Sequence, residues 1–183
     1  MTLEKVIVLP QFPNITVLIT LFNEVKNLKE IKNKLIEKDR NYDYSFINPS
    51  MILSIEQLYS SIYKTLLSVE NKTLKSNSVN SELILNLSNM NKIVDSLNRF
   101  GINEKNDNLI VVKFILQDDD KLSVKDHLMN LEKIIKGELV EFNDINLMKL
   151  VDLSQIKKTF KLNGESDNIE RLSKLIIGIT QLK

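Results

Sequence analysis

The chain contains no cysteine. Disulfides, thiolate metal ligands and thiol catalysis are therefore excluded, and a reducing compartment suits it. Only four glycines are present. Neither a P-loop nor a dinucleotide fingerprint can be written, since both need glycines at fixed spacing. HExxH and the nucleophile-elbow pattern are missing too. Arginine occurs only at Arg40, Arg99 and Arg171; the other basic residues are lysines. Guanidinium is the group that grips phosphate with two parallel bonds. Any RNA contact would thus rest on lysine point charges and weaken with salt. The net charge of +1 sets up no global field for nucleic acid. No apolar run approaches the roughly 20 residues that cross a bilayer, and the N-terminus lacks the features of a signal peptide. The expected location is the cytoplasm or nucleus, with no membrane partner.

What is present is ordinary for a folded domain: 183 residues, 43% hydrophobic and 27% charged. The organising stretch runs from Ser81 to Gln117. Its two apolar runs, Leu83–Leu87 and Leu109–Leu116, read as buried strands. Between them Ile93, Val94, Leu97 and Phe100 share a helical face. Asn91 is placed to cap that helix. Gly101 is placed to end it in a left-handed conformation, with Ile102 at the apolar position of a Schellman motif. The expected fold class is α+β: a single domain over residues 1–183, with a mixed β-sheet, a strand–helix–strand centre and several packing helices.

Before that centre, Val6–Leu9 and Ile15–Leu21 read as strands joined by a turn holding Pro10 and Pro13. Asn23 can cap a helix with the stripe Val25, Leu28, Ile31, Leu35 and Ile36. Residues 39–50 read as a polar connection carrying Tyr42, Tyr44 and Phe46. Such aromatics either pack a loop onto the core or stack bases. A second helix repeats Ile55, Leu58, Tyr59, Ile62, Tyr63, Leu66 and Leu67 at three- and four-residue steps. Ser54 and Gln57 form its capping box, with Leu53 and Leu58 as staple. Residues 70–80 make a polar linker with Lys72 and Lys75.

After the centre, Asp118, Asp119 and Asp120 lack the alternating ligands and glycine of an EF-hand, and read as a solvated turn. Ser123 can cap a helix carrying His127, the sole histidine. Acid–base work would need a partner held against that ring. Asp126 faces elsewhere on the helix, so a structural histidine is expected. Gly137 ends the helix and Glu138–Phe142 alternates like a short strand. Asn143 or Asp144, and Asp152 or Ser154, cap two brief helices, the second stopped by Asn163-Gly164. The last helix, about 167–182, shows the stripe Ile169, Leu172, Leu175, Ile176, Ile179 and Leu182. No catalytic, metal or cofactor residue is assigned. The residues alone describe a non-enzymatic binding module.

Several stretches are also similar to a known family. They are PQFPNITVLITLFNEVKN (Pro10–Asn27), INPSMILSIEQLYSSIYKTL (Ile47–Leu66), NSELILNLSNMNKIVDSLNRFGI (Asn80–Ile102) and IKKTFKL (Ile156–Leu162). In this order they resemble the small kinase-binding subunit of the KEOPS (EKC) complex, most of all its fungal members. The resemblance implies a non-catalytic subunit that binds and modulates the complex's atypical kinase and reaches the other subunits through it. It also implies support for N6-threonylcarbamoyladenosine (t6A) modification of tRNA, with help in holding tRNA, and links to telomere maintenance and transcription. One departure stands out. Relatives carry clustered Arg and Lys before the acidic residue that opens the third stretch, whereas LKSNSVNSE (Leu74–Glu82) has one lysine and no arginine.

Leu172, Ile176 and Ile179 are the expected kinase contacts, joined by Tyr59 and Tyr63, because apolar helix faces mark partner sites. Lys72 and Lys75, with Tyr42 or Tyr44, are the expected tRNA contacts. The rival classes are a free-standing RNA-binding domain and a small-molecule-binding enzyme on the same scaffold, the latter requiring His127 and a carboxylate in a deep pocket.

Overall fold

The β-branched run Ile15–Asn23 is long enough to serve three neighbouring strands, and it does. The structure, a computed structural model, describes residues 2–116 and 121–183; Asp118, Asp119 and Asp120 lie outside them. The strands are β1 (Lys5–Val8), β2 (Ile15–Asn23), β3 (Ser45–Ile47), β4 (Leu109–Leu116) and β5 (Glu138–Val140). The helices are α1 (Leu28–Ile36), α2 (Ile55–Glu70), α3 (Val79–Leu87), α4 (Ile93–Phe100), α5 (Val124–Ile134), α6 (Asp144–Met148), α7 (Leu153–Phe160) and α8 (Ile169–Gln181). The chain divides into two units interleaved in sequence: Met1–Ile47 with Ile102–Phe142, and Asn48–Gly101 with Asn143–Lys183. The strands with α1 and α5 belong to the first, the remaining helices to the second.

In the sheet unit the strand order is β1-β2-β4-β3, with β5 on the far end of β2. The turn holding Pro10 and Pro13 makes β1 and β2 a hairpin, with Val8 opposite Thr16. The pairings of β2 with β4 and β5, and of β3 with β4, are antiparallel too. The sheet among the described residues is thus antiparallel rather than mixed. Leu18, Phe22, Val111 and Ile115 pack with Leu28 and Ile31 of α1 and Leu131 of α5. Their neighbours Val17, Ile19, Ile110 and Val112 are buried as well. Both faces of β2 and β4 are therefore covered, which accounts for runs of apolar residues without polar alternation.

Residues 39–50 are not a plain loop. They hold β3 between two short 3₁₀ turns, and Tyr42, Tyr44 and Phe46 are all buried in the sheet unit's core. They are packing aromatics, and base stacking by Tyr42 or Tyr44 is corrected accordingly. Asn23 ends β2 and does not cap α1. Asn27 precedes α1 and reaches across instead, donating to Ile134 O and accepting from Lys136 N–H.

In the helical unit, Leu83–Leu87 is helix, not strand. Every residue from Glu82 to Leu87 is buried, because α2, α4 and α8 all pack on α3. A helix buried on all sides loses its amphipathic period and reads like a buried strand. No strand–helix–strand centre therefore exists. Asn91 does not cap α4, which begins after Lys92 without a side-chain cap. Gly101 is not left-handed either: its φ is −80°. Glycine is needed there because a Cβ would lie 2.5 Å from Leu97 O.

The left-handed helix ends fall to lysines. Lys38, Lys72 and Lys161 have φ of 56°, 55° and 58°. Each follows a helix and sits in the paired 5→2 and 6→1 bonds of a Schellman motif, such as Lys161 N–H to Lys158 O with Leu162 N–H to Lys157 O. A side chain in this region costs about 1 kcal/mol relative to glycine. Lys161→Gly should therefore raise the melting temperature by roughly 2–4 °C in a thermal scan, and a fall would contradict this reading of the cap.

Partner face and basic loop of the helical unit

Ser54 caps α2 by accepting from Gln57 N–H at 3.1 Å. The reciprocal limb differs from a capping box, since Gln57 Oε1 accepts from Leu53 N–H at 2.8 Å. The pair still anchors the start of α2. Ser54 Oγ then meets Ser173 Oγ of α8 at 2.6 Å. Further along, Gln181 Nε2 donates to Ser60 O and Lys64 Nζ to Thr180 O. The contacts advance together along both helices, so α2 and α8 run parallel.

This packing sorts the expected partner residues. Leu172 and Ile176 are 0% exposed. They sit in the helical unit's core, as do Leu58, Ile62 and Leu66 on α2. Their assignment to a partner face is therefore corrected: these two residues of the α8 stripe are used up inside the unit. Ile179 and Tyr59 are half-buried, and Tyr63 is 37% exposed. Leu67, also 37% exposed, continues the four-residue step of Tyr59 and Tyr63. That spacing was present in the sequence. The start of α6 is tied to the start of α2 by Ile55 N–H donating to Asp144 Oδ1 at 2.9 Å. Burial, then the Asp144 carboxylate, push the Tyr59 hydroxyl's pKa up. Next to Asp144, Ile145 is strongly exposed, and Met148 is exposed one turn on.

The loop between α2 and α3 carries Lys72 and Lys75, both exposed. Ser78 caps α3 by accepting from Ser81 N–H. Glu82, one turn into α3, turns its carboxylate back toward the loop. Its Oε2 accepts from Lys75 N–H at 2.9 Å and Ser76 N–H at 2.8 Å. At the other end of α3, Lys183 Nζ donates to Leu85 O and Ser88 O. Lys64 Nζ in turn donates to the carbonyls of Thr180, Gln181 and Lys183. Two lysines thus satisfy the last carbonyls of α3 and α8. Burial and then the Lys75 charge lower the Lys64 pKa. Burial, followed by Lys64 and Lys75, lowers Lys183 to about 8, with Glu82 opposing the shift.

In the sheet unit, His127 is 3% exposed. Its Nδ1 lies 3.2 Å from Tyr44 Oη, with the rings edge to face. Asn130 Nδ2 donates to that same hydroxyl. Asp126 faces away, accepting from Ser123 N–H and Oγ in a complete capping box. The ring is a structural element rather than the wall of an open cleft. Among the described residues no group of three His, Cys, Asp or Glu is placed to hold a metal ion, and no helix is long and apolar enough to cross a membrane.

In the helical unit α2 thus keeps Tyr63 and Leu67 exposed. The family described as "Kinase binding protein CGI-121" matches residues 22–183. The chain is 40% identical to the EKC/KEOPS complex subunit CGI121 of Debaryomyces hansenii, over 96% of this chain and 95% of that one. It is 40% identical to the Candida albicans subunit of the same name over 98% of each chain. Identity to the Schizosaccharomyces pombe subunit is 34% over 85% and 87%. The chain belongs to the CGI-121 kinase-binding protein family.

The pH response of Lys183 follows from its burial. Its pKa in the folded chain, about 8, lies below the usual 10.5. Between those values the unfolded chain holds the additional proton, so stability gains as pH rises; below pH 8 this contribution is flat. Lys183→Met is expected to remove that part of the stability gain between pH 8 and 10.5 in chemical denaturation. An unchanged slope would contradict the assignment.

Proposed function

We propose that this chain is the small, non-catalytic subunit of an EKC/KEOPS complex, and that it binds and modulates the atypical kinase of that complex through its helical unit. The observation that carries the reading is the outward apolar series Tyr59, Tyr63 and Leu67 on α2, in a chain whose family is described as kinase-binding. Partly exposed tyrosine rings suit the centre of a protein interface. Ile179 of α8 joins them. Leu172 and Ile176 support this face from beneath. The relatives' names place them in the EKC/KEOPS complex, and contact with the remaining subunits runs through the kinase.

Through that complex the chain supports t6A modification of tRNA, in the nucleus and cytoplasm, with Lys72 and Lys75 touching tRNA phosphates. Links to telomere maintenance and transcription follow the same membership.

Two kinds of substitution separate face from core. Tyr63→Asp and Ile179→Glu are expected to weaken binding to the kinase at least about tenfold by calorimetry, while melting shifts little. Ile176→Glu buries a charge without a partner and should unfold the unit. Wild-type affinity in both face variants would overturn the reading. For RNA, replacing Lys72 and Lys75 together by alanine should lower tRNA affinity at low salt by about fivefold and flatten its salt dependence. Equal affinity would remove the RNA contact.

A further inference from the structure

Among the described residues Glu82 is the one carboxylate with almost no exposure, at 1%. Burying an ionised group is costly unless its charge and lone pairs are met. Here one oxygen takes two successive backbone amides, Lys75 and Ser76. Two adjacent N–H groups converging on one point form an anion-binding curl of the backbone. The carboxylate therefore fixes the main chain where Lys75 projects. At the other shoulder of the loop, Lys72 is held left-handed by the Schellman motif ending α2. No hydrogen bond or ion pair within the described residues ties down the ammonium of Lys72 or Lys75. Lys64 and Lys183, by contrast, are engaged with helix-end carbonyls. The loop's backbone is thus hydrogen-bonded at both shoulders, and two cations project from it. A loop ordered in advance loses less freedom on binding than a slack one.

We propose that Glu82 is a positioning residue for RNA binding: by holding the Lys75 and Ser76 amides it presents Lys75, together with Lys72, to a phosphate backbone. The proposal rests on the reading of this loop as an RNA contact. It also explains how a loop with no arginine and little lysine could still hold phosphate, since two point charges act best when their spacing is set beforehand.

The test is a double-mutant cycle with unfractionated tRNA as probe, at low salt and well below the melting temperature. Wild type, Lys72→Ala/Lys75→Ala, Glu82→Ala and the triple variant are compared, with Glu82→Gln as the variant that keeps an acceptor oxygen. Glu82→Ala is expected to weaken binding about fivefold in the wild-type background and less than about twofold where both lysines are already gone. Glu82→Gln should stay within about twofold of wild type. If the double lysine variant binds like wild type, the RNA reading of the loop fails and the proposal with it. If that variant binds weakly but Glu82→Ala has no effect, or its effect adds in full, the RNA reading stands and positioning is overturned. Should Glu82→Ala not fold, amide exchange in the wild type decides. Slow exchange at Lys75 and Ser76 supports the proposal, and exchange at the rate of an open loop overturns it.

Discussion

A helix covered on every side must find hydrogen-bond partners for both its ends within the protein, and α3 is the helix on which this constraint falls. Ser78 serves its first turn, and the ammonium of Lys183 serves its last. The carbonyl of Asn86 takes the Ser61 hydroxyl of α2. Lys64 then binds the end of α8, including the carbonyl of Lys183. The ends of α2, α3 and α8 are joined in this way by polar groups, while their sides are joined by apolar ones. The inward stripes of α2 and α8 are consumed by the arrangement. What α2 has left over, Tyr59, Tyr63 and Leu67, faces outward as a consequence.

Features decided by neighbours in sequence could be read without the structure. The capping serines Ser54 and Ser123, and Asn143 as one of two candidate caps, depend on contacts a few residues apart; β4 showed as an unbroken apolar run, and the turn holding Pro10 and Pro13 left open whether its flanking strands pair, which they do. Features decided at long range could not. Strand β3 is three residues long and exists through its pairing with β4. Helix α3 looked like a strand because three other helices erase its polar face. Leu172 and Ile176 looked available because an apolar stripe does not say whether its partner lies in the same chain. The glycine rule for helix ends also misled, since Lys38, Lys72 and Lys161 occupy left-handed positions and Gly101 does not.

Both candidate contacts, the apolar face and the lysine loop, belong to the helical unit. The same polar joints that close the unit also shape them. Glu82 curls the loop, and Lys64 holds α8 alongside α2. The sheet unit contributes a different chemistry, in which the one histidine is enclosed and hydrogen-bonded to Tyr44.

The most direct measurement is size-exclusion chromatography with light scattering on this chain mixed with the atypical kinase of the same cells at micromolar concentration. Kinase binding by the chain predicts a single peak with the mass of a one-to-one complex. Two separate peaks, each at the mass of its own chain, would contradict it.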